Sequence, residues 1–174
     1  MTKGDNVICV SGAIKIYIQK HYQTPEKKIT VIPRGIDLDK FNPNNLDQAF
    51  IERFKTEYHL EDRRVITTVG RITQLKDHQT FIRAIALLKK SDASVIGLIV
   101  GGVRDDKQEY FDSLKRLVKE LDVANNIIFT GSQSKVAEIY ALSDVVVSSS
   151  KKPESFGRSV AEALALNTPV VATN

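Results

Sequence analysis

Two glutamates near the carboxyl end of the sequence, Glu154 and Glu162, lie eight positions apart on either side of a Phe-Gly pair. A carboxylate accepts strong hydrogen bonds and therefore suits the hydroxyl groups of a diol. Two cations earlier in the chain, Arg71 and Lys76, follow a glycine and suit a phosphate. A ligand that carries both phosphate and a polyol, such as a nucleotide sugar, would use all four side chains.

The elements that must position these side chains are apolar runs that alternate with segments of helical spacing. Strands are predicted over Val65–Val69, Ser94–Val100, Asn126–Thr130, Asp144–Ser148 and Pro169–Ala172, and helices over His78–Lys90, Gln108–Leu121, Ser134–Leu142 and Arg158–Leu166. Ser134 is the expected N-cap of its helix. This alternation predicts an α/β domain with a Rossmann-like parallel sheet and helices on both faces.

The segments that follow the predicted strands carry the candidate binding groups. In an open parallel sheet, ligands bind beyond the carboxyl ends of the strands. Three of the first four strands end in a glycine, which lets the backbone approach a ligand closely. After the fourth strand, Phe156, Gly157 and Arg158 offer backbone N–H groups at a helix start, which favours an anion. The sequence therefore predicts one binding site at this edge of the sheet.

The first sixty residues have a different pattern. Short strands are predicted over Val7–Val10 and Ile29–Ile32, with a helix over Ala13–His21 between them. A stretch rich in Pro, Asp and Asn follows and indicates a connection. Helical spacing resumes over Gln48–Tyr58. We interpret the chain as the end of one α/β unit, a connection, and most of a second α/β unit.

Composition limits the function classes. The chain has 174 residues, 42% of them apolar and 26% charged, with a net charge of +4, which is typical of a globular protein. Its single cysteine, Cys9, excludes an internal disulfide framework and fits a reducing, cytoplasmic compartment. The N-terminal residues do not have the pattern of a signal peptide. The mild positive charge suits a phosphate-bearing ligand or an anionic membrane surface, and predicts neither by itself.

Each candidate residue also has a purely structural interpretation at this point. Glycines that end strands commonly make turns, Arg71 and Lys76 could be solvated loop charges, and Glu162 could lie on a helix surface. The three histidines have no metal-ligand spacing to one another or to Cys9, so no metal site is predicted. The chain contains no GxGxxG, which weakens the case for a dinucleotide-dependent oxidoreductase.

Several motifs together resemble the family-4, or group 1, retaining glycosyltransferases of the GT-B fold. The segment ESFGRSVAE resembles the family's E-x7-E motif, and VGRITQLKDH resembles its phosphate loop, with Asp77 where glycine is common. The segments EALALNTPVVAT, NIIFTGSQSKVAEIYALSDVVVSSS and ITVIPRGIDLDKFNP resemble the parts between and before these motifs. The pair Arg34-Gly35 resembles bacterial members that build lipopolysaccharide.

The resemblance implies a role for each candidate residue. Arg71 and Lys76 would hold the donor diphosphate, Glu162 the ribose hydroxyls, and Glu154 would lie near the transferred sugar as the catalytic residue. Further donor-binding residues would be Gly131 and Gln133 at the base, and Phe156, Gly157 and Arg158 at the phosphate and sugar. The resemblance implies a UDP- or GDP-linked sugar as donor, retention of the anomeric configuration, and no metal or other cofactor. It implies no nucleic-acid partner.

The resemblance also implies a division of the chain. Residues 1–36 would end an acceptor-side N-terminal domain, 37–60 would connect the domains, and 61–174 would form a donor-binding domain truncated at its C-terminus. The acceptor, a glycan or lipid, would be held by the remainder of the N-terminal domain, and the full-length protein could contact the inner face of the plasma membrane. We therefore expect the isolated chain to transfer no sugar. Under-covered apolar surface at Ile14, Ile18 and Phe41 would favour self-association.

Two alternatives remain open from the sequence. A non-catalytic nucleotide-binding or regulatory module could keep the same fold, and a chain without an acceptor domain favours it. The E-x7-E pair together with Arg71 and Lys76 favours an enzyme. A sugar-nucleotide epimerase of the same fold is disfavoured by the segment that connects the two units.

Overall fold

The chain folds into two parallel β-sheets flanked by helices. The structure is a computed structural model and describes residues 4–152 and 154–173; Pro153, in the segment that follows the fourth predicted strand, lies outside them. The strands are β1 (Val7–Cys9), β2 (Ile29–Val31), β3 (Arg64–Val69), β4 (Val95–Val100), β5 (Ile127–Gly131), β6 (Val145–Ser148) and β7 (Val170–Ala172). The α-helices are α1 (Gly12–Tyr22), α2 (Gln48–Glu57), α3 (His78–Leu88), α4 (Gln108–Glu120), α5 (Val136–Ala141) and α6 (Arg158–Ala165).

The larger sheet has five strands in the order β5-β4-β3-β6-β7, and every neighbouring pair is parallel. From the central β3 the chain proceeds outward through β4 and β5, and then returns to the other side of β3 as β6. The strand order therefore reverses between β3 and β6, which is where open α/β sheets form a crevice for ligands. The predicted α/β fold with a parallel sheet is confirmed.

Apolar side chains from alternate strand positions build a core on each face of this sheet. Ile99 of β4 packs toward α3 and α4, among the buried side chains of Phe81, Ile85 and Leu114. Its neighbour Leu98 packs on the opposite face, in a cluster that includes Phe54 of α2 and Ile139 of α5. Both faces are covered, which explains why the strands have no polar alternation.

The connection before β3 packs onto the larger sheet's helices. Phe41 is only 6% exposed and lies in a cluster with Tyr140 and the buried Ala163 of α6. The expectation that Phe41 is under-covered is therefore wrong, because the connection folds back against α5 and α6. In α2, the carboxylate of the N-cap Asp47 accepts a hydrogen bond from the Phe50 N–H and pairs with Lys135.

The smaller sheet, β1 with β2, is covered on one side by α1. Val7 and Cys9 are buried, whereas Ile8 between them is 67% exposed. Ile14 and Ile18 of α1 are half-buried rather than open. The large apolar side chains that this unit exposes lie at other positions than the spacing indicated, namely Ile8, Ile16, Tyr17, Tyr22, Val31 and Ile32.

Most element ends agree with the predictions to within a residue or two, but α5 begins later than expected. It starts at Val136 with Lys135 at the cap position, and no side chain caps it within the described chain. The prediction of Ser134 as N-cap is wrong because the chain adopts helical geometry only two residues after Ser134. The lysine at the cap position pairs with Asp47 instead.

Candidate functional site

An open cleft of about 570 Å³ lies at the point where the strand order reverses. Loops that follow β3, β4, β5 and β6 form its walls, together with α5, α6 and Arg34, which follows β2. All the predicted site residues line it except Gly131, namely Arg71, Lys76, Gln133, Glu154, Phe156, Gly157, Arg158 and Glu162. Gly131 is the last residue of β5 and is followed by the lining residue Ser132.

The ends of the central strands approach each other closely because of one glycine. A Cβ added to Gly101 would lie 1.9 Å from the carbonyl oxygen of Gly70, so no other residue fits there without moving the backbone. The Gly101 N–H donates to the Gly131 carbonyl at 2.9 Å, which continues the ladder beyond β4. The backbone at Gly70, Gly101 and Gly102 therefore lines the cleft directly.

The start of α6 forms one wall of the cleft. Gly157 occupies the cap position with φ 74 and ψ 47, a left-handed conformation that favours glycine. No side chain of the described residues caps this helix, and its first residues, Arg158 and Ser159, line the cleft. Uncapped N–H groups and the helix dipole together favour a phosphate at this position.

Glu154 lines the part of the cleft where the loops after β3 and β6 meet, here called its sugar end, and is fixed by two donors from these loops. Its Oε1 accepts hydrogen bonds from Lys76 Nζ at 2.5 Å and from Ser150 Oγ at 2.6 Å. Burial would raise the pKa of Glu154, but the hydrogen bonds from Lys76 and Ser150 outweigh it and hold the pKa below its ordinary value. Glu154 is therefore an ionised hydrogen-bond acceptor at neutral pH.

Glu162 lines the part of the cleft where α5 and α6 meet, here called its ribose end, and is more deeply buried, with a side chain 14% exposed. Tyr140 donates its phenolic O–H to Oε2 at 3.1 Å, and Arg158 Nε lies 3.5 Å from Oε1. Burial raises the pKa of Glu162, and Tyr140, Arg158 and Lys40 oppose that rise without cancelling it. Burial also raises the pKa of Tyr140, followed by the effect of the adjacent Glu162, so the phenol stays a donor.

Two guanidinium groups of the cleft have no carboxylate partner among the described residues. They belong to Arg71, which follows β3, and Arg34, which follows β2. Arg34 was not predicted as a site residue. Its signal in the sequence was a cation shortly after a strand end, the same pattern that identified Arg71. Both are exposed and able to neutralise an anion.

Sequence reasoning also missed Tyr140, because a tyrosine inside an apolar helix has no distinguishing pattern. Gln133 has a defined orientation, since its side-chain amide nitrogen donates to the Thr130 carbonyl at 2.9 Å. Its amide oxygen is then the group that can accept a hydrogen bond from a ligand. Across residues 4–152 and 154–173, no three His, Cys, Asp or Glu side chains lie close enough to hold a metal ion.

The family is decided by a match to a family model described as glycosyl transferases group 1, over residues 50–174. The chain belongs to the group 1 glycosyltransferases. A second family model, described as glycosyltransferase family 4, matches residues 1–40. In the described part of the chain, no helix of this glycosyltransferase chain is long and apolar enough to span a membrane.

Two curated relatives match almost the whole chain. The D-inositol 3-phosphate glycosyltransferase of Rhodococcus opacus strain B4 is 34% identical, and the match covers 100% of this chain and 39% of that protein. The alpha-monoglucosyldiacylglycerol synthase of Streptococcus pneumoniae is 30% identical over 97% of this chain and 37% of that protein. The chain therefore spans well under half the length of these relatives.

Solved structures agree with the fold. A glycosyltransferase from Rickettsia africae superposes with a TM-score of 0.90 at 32% identity, over 99% of this chain and 45% of that one. HepE from Anabaena, solved in complex with UDP-glucose, superposes with a TM-score of 0.86 at 25% identity, over 97% of this chain and 44% of that one. The same protein has also been solved with UDP and glucose.

Proposed function

We propose that the protein of which this chain is a part transfers a sugar from a nucleoside-diphosphate sugar to a glycan or lipid-linked acceptor, with retention of configuration. The donor carries UDP or GDP, and the transfer serves the synthesis of cell-envelope polysaccharide or lipopolysaccharide. This chain supplies the donor site. Residues 1–36 belong to the acceptor-side domain, residues 37–60 connect the two, and residues 61–174 bind the donor.

The observation that carries the proposal is that cations, an uncapped helix start and two carboxylates line one cleft. Arg71, Lys76 and the start of α6 line it together with Glu154 and Glu162, and the two carboxylates have different partners. A diphosphate suits the cations and the helix start, and each carboxylate suits a sugar ring, the ribose at Glu162 and the transferred sugar at Glu154. A nucleotide sugar carries all three groups, in the order ribose, diphosphate, sugar.

The same groups would support the chemical step. When the bond between the sugar and the diphosphate breaks, negative charge increases on the leaving phosphate oxygens. Arg71, Lys76 and the N–H groups at the start of α6 would stabilise that charge, and such electrostatic stabilisation is usually the largest single contribution to catalysis. This arrangement would need no metal ion or other cofactor.

The finer parts of the proposal have separate support. A UDP-linked donor is favoured by the likeness to HepE, which was solved with UDP-glucose. An envelope acceptor is favoured by the glycolipid synthase among the relatives and by the Arg34-Gly35 pair. Retention is supported by the family resemblance. A cytoplasmic location at the inner membrane face would place the enzyme beside such acceptors.

The test is a titration of this chain with UDP, GDP and ADP, followed by the backbone amide signals in ¹H–¹⁵N NMR spectra. We expect the preferred diphosphate to shift the amides of Gly157, Arg158 and Ser159, and uridine or guanosine alone to bind far more weakly. A second cavity of about 570 Å³, lined by Gln79 and Tyr110 among others, is the internal control. Shifts confined to that cavity, or no binding of any diphosphate, would contradict the proposal.

A further inference from the structure

The loop that follows β6 is attached to the loop that follows β3 by two hydrogen bonds to backbone carbonyls. Ser149 Oγ donates to the carbonyl oxygen of Lys76 at 3.0 Å, and the Lys151 N–H donates to that of Leu75 at 2.9 Å. These bonds hold the short helical turn that carries Lys76 against the segment that carries Glu154. The segments that carry Lys76 and Glu154 are therefore attached to each other through their backbones.

Between them, Ser150 has a defined position of its own. It is only 7% exposed, and its carbonyl oxygen accepts a hydrogen bond from Thr173 Oγ1 at 2.8 Å. The N–H of Thr173 donates in turn to Ser148 at 3.0 Å, which extends β7 past its last residue. The backbone of Ser150 is thus fixed by the sheet edge, and its hydroxyl points to Glu154.

The two oxygens of Glu154 are not equivalent. Oε1 accepts from both Ser150 Oγ and Lys76 Nζ, whereas no donor among the described residues reaches Oε2. A carboxylate oxygen that already accepts two strong hydrogen bonds has little capacity to accept another. The other oxygen keeps its lone pairs available for a ligand.

We propose that Ser150 is a positioning residue that selects which oxygen of Glu154 meets the ligand. Together with Lys76 it occupies Oε1 and directs Oε2 toward a hydroxyl of the transferred sugar. Ser150 thereby sets how strongly the site prefers a nucleotide sugar over the bare nucleoside diphosphate. The sugar's place at Glu154 rests on the proposed function, whereas the fixing of the carboxylate by Ser150 does not.

The experiment uses Ser150→Ala, the conservative Ser150→Thr, and Ser91→Ala as a matched serine control on an exposed site at the end of α3, where Ser91 Oγ bonds only the Leu88 carbonyl. Calorimetry gives the ratio of the dissociation constants of UDP and UDP-glucose, with GDP and GDP-mannose as the parallel pair. A carbon-detected NMR titration of the ligand-free chain gives the pKa of Glu154. Lys76 is the charge that contacts this carboxylate, and Arg71 and Arg158 line the same cleft.

In Ser150→Ala we expect the preference for the nucleotide sugar to fall about fivefold, the factor that corresponds to one ordinary hydrogen bond. Binding of the bare diphosphate should stay within about twofold of the parent, since its phosphates do not contact Ser150 in this arrangement. The pKa of Glu154 should rise, because the ionised form loses a donor. Ser150→Thr should restore both quantities, and Ser91→Ala should change neither.

Three results would overturn the inference. An unchanged Glu154 pKa in Ser150→Ala would show that the hydroxyl does not hold the carboxylate. A raised pKa of Glu154 together with an unchanged preference for the nucleotide sugar would show that Oε2 does not bind the sugar. If the parent chain binds neither UDP nor GDP, the proposed function is wrong, and so is the role of Ser150 in binding the sugar.

Discussion

The two ends of the cleft contain the same residue type in opposite electrostatic conditions. Glu154 has a side chain 33% exposed, with an ammonium group 2.5 Å away, and its pKa is lowered. Glu162 has a side chain 14% exposed, with its nearest cation 3.5 Å away and a neutral phenol at 3.1 Å, and its pKa is raised. Eight positions of sequence separate the two.

The difference shows that burial and hydrogen-bond donors shift the pKa of a glutamate in opposite directions, and that their balance differs between the two glutamates. At Glu154 two close donors outweigh desolvation, whereas at Glu162 desolvation outweighs a more distant cation and one phenol. In the proposed arrangement, the ionised Glu154 would accept a hydrogen bond from a hydroxyl of the sugar and would stabilise developing positive charge. The more buried Glu162 would accept hydrogen bonds from the neutral diol of the ribose.

The largest expected effect is that of Arg71, which lines the cleft together with both carboxylates. Arg71→Ala should weaken the binding of the preferred nucleoside diphosphate by about ten- to a hundredfold, since a charged hydrogen bond contributes roughly 1.5–3 kcal/mol. Calorimetry measures the dissociation constant. Arg83→Ala, an exposed arginine of α3 outside the cleft, is the matched control and should leave the affinity unchanged. Equal affinities of the Arg71 variant and the parent would remove the phosphate role.

The next effect separates the two carboxylates. Glu162→Gln should weaken the binding of the nucleoside diphosphate without a sugar by about tenfold, because one charge-assisted hydrogen bond to the ribose is lost. Glu154→Gln should leave that binding almost unchanged and reduce only the additional affinity of the nucleotide sugar. The measurement is the same pair of titrations on both variants. An equal loss of affinity for the nucleoside diphosphate in both variants would mean that the two glutamates do not bind different parts of the ligand.

A smaller effect comes from the phenol at the ribose end. Tyr140 is fully buried, and phenylalanine keeps its packing while removing the donor to Glu162. Tyr140→Phe should lower the free energy of unfolding by about 1 kcal/mol and raise the pKa of Glu162 further. Chemical denaturation and an NMR titration measure these quantities. A pKa of Glu162 that falls, or stays the same, would show that Tyr140 does not support the carboxylate.

The smallest effect is a difference of sign in the pH dependence of stability. The raised pKa of Glu162 means that its favourable contribution is present below the ordinary value of 4.5 and is lost as the pH rises through the raised pKa. The lowered pKa of Glu154 means that its contribution is present above 4.5 and is lost as the pH falls through the lowered pKa. Glu162→Gln and Glu154→Gln each replace the titrating carboxyl group by an amide that does not titrate.

We therefore expect the parent to lose stability relative to Glu162→Gln as the pH rises, and to gain stability relative to Glu154→Gln over the same range. Urea denaturation at a series of pH values around 4.5 measures both differences. If the difference in stability between parent and variant changed in the same direction with pH for both variants, the two glutamates would not have oppositely shifted pKa values.

Much of this architecture was predictable from the sequence, for a local reason. A near-continuous apolar strand followed by an amphipathic helix has few stable solutions other than a βα unit on a parallel sheet. Every such unit places its strand's carboxyl end at the same edge, so Arg71 and Glu162 could be expected at one edge before any contact was known. The errors at Ser134 and Phe41 arose where a contact from a distant segment decided the outcome.

The sequence by itself determined the elements, their parallel arrangement and the edge at which the charged residues collect, because periodicity and turn residues act over a few positions. Only the tertiary structure decided which charges meet. Lys76 reaches Glu154 across 78 positions of sequence because β6 returns to the side of β3, and the register of that pairing is absent from either segment alone. Ionisation depends on distances of a few ångströms and on burial, so the opposite states of Glu154 and Glu162 exist only once the strand order is fixed.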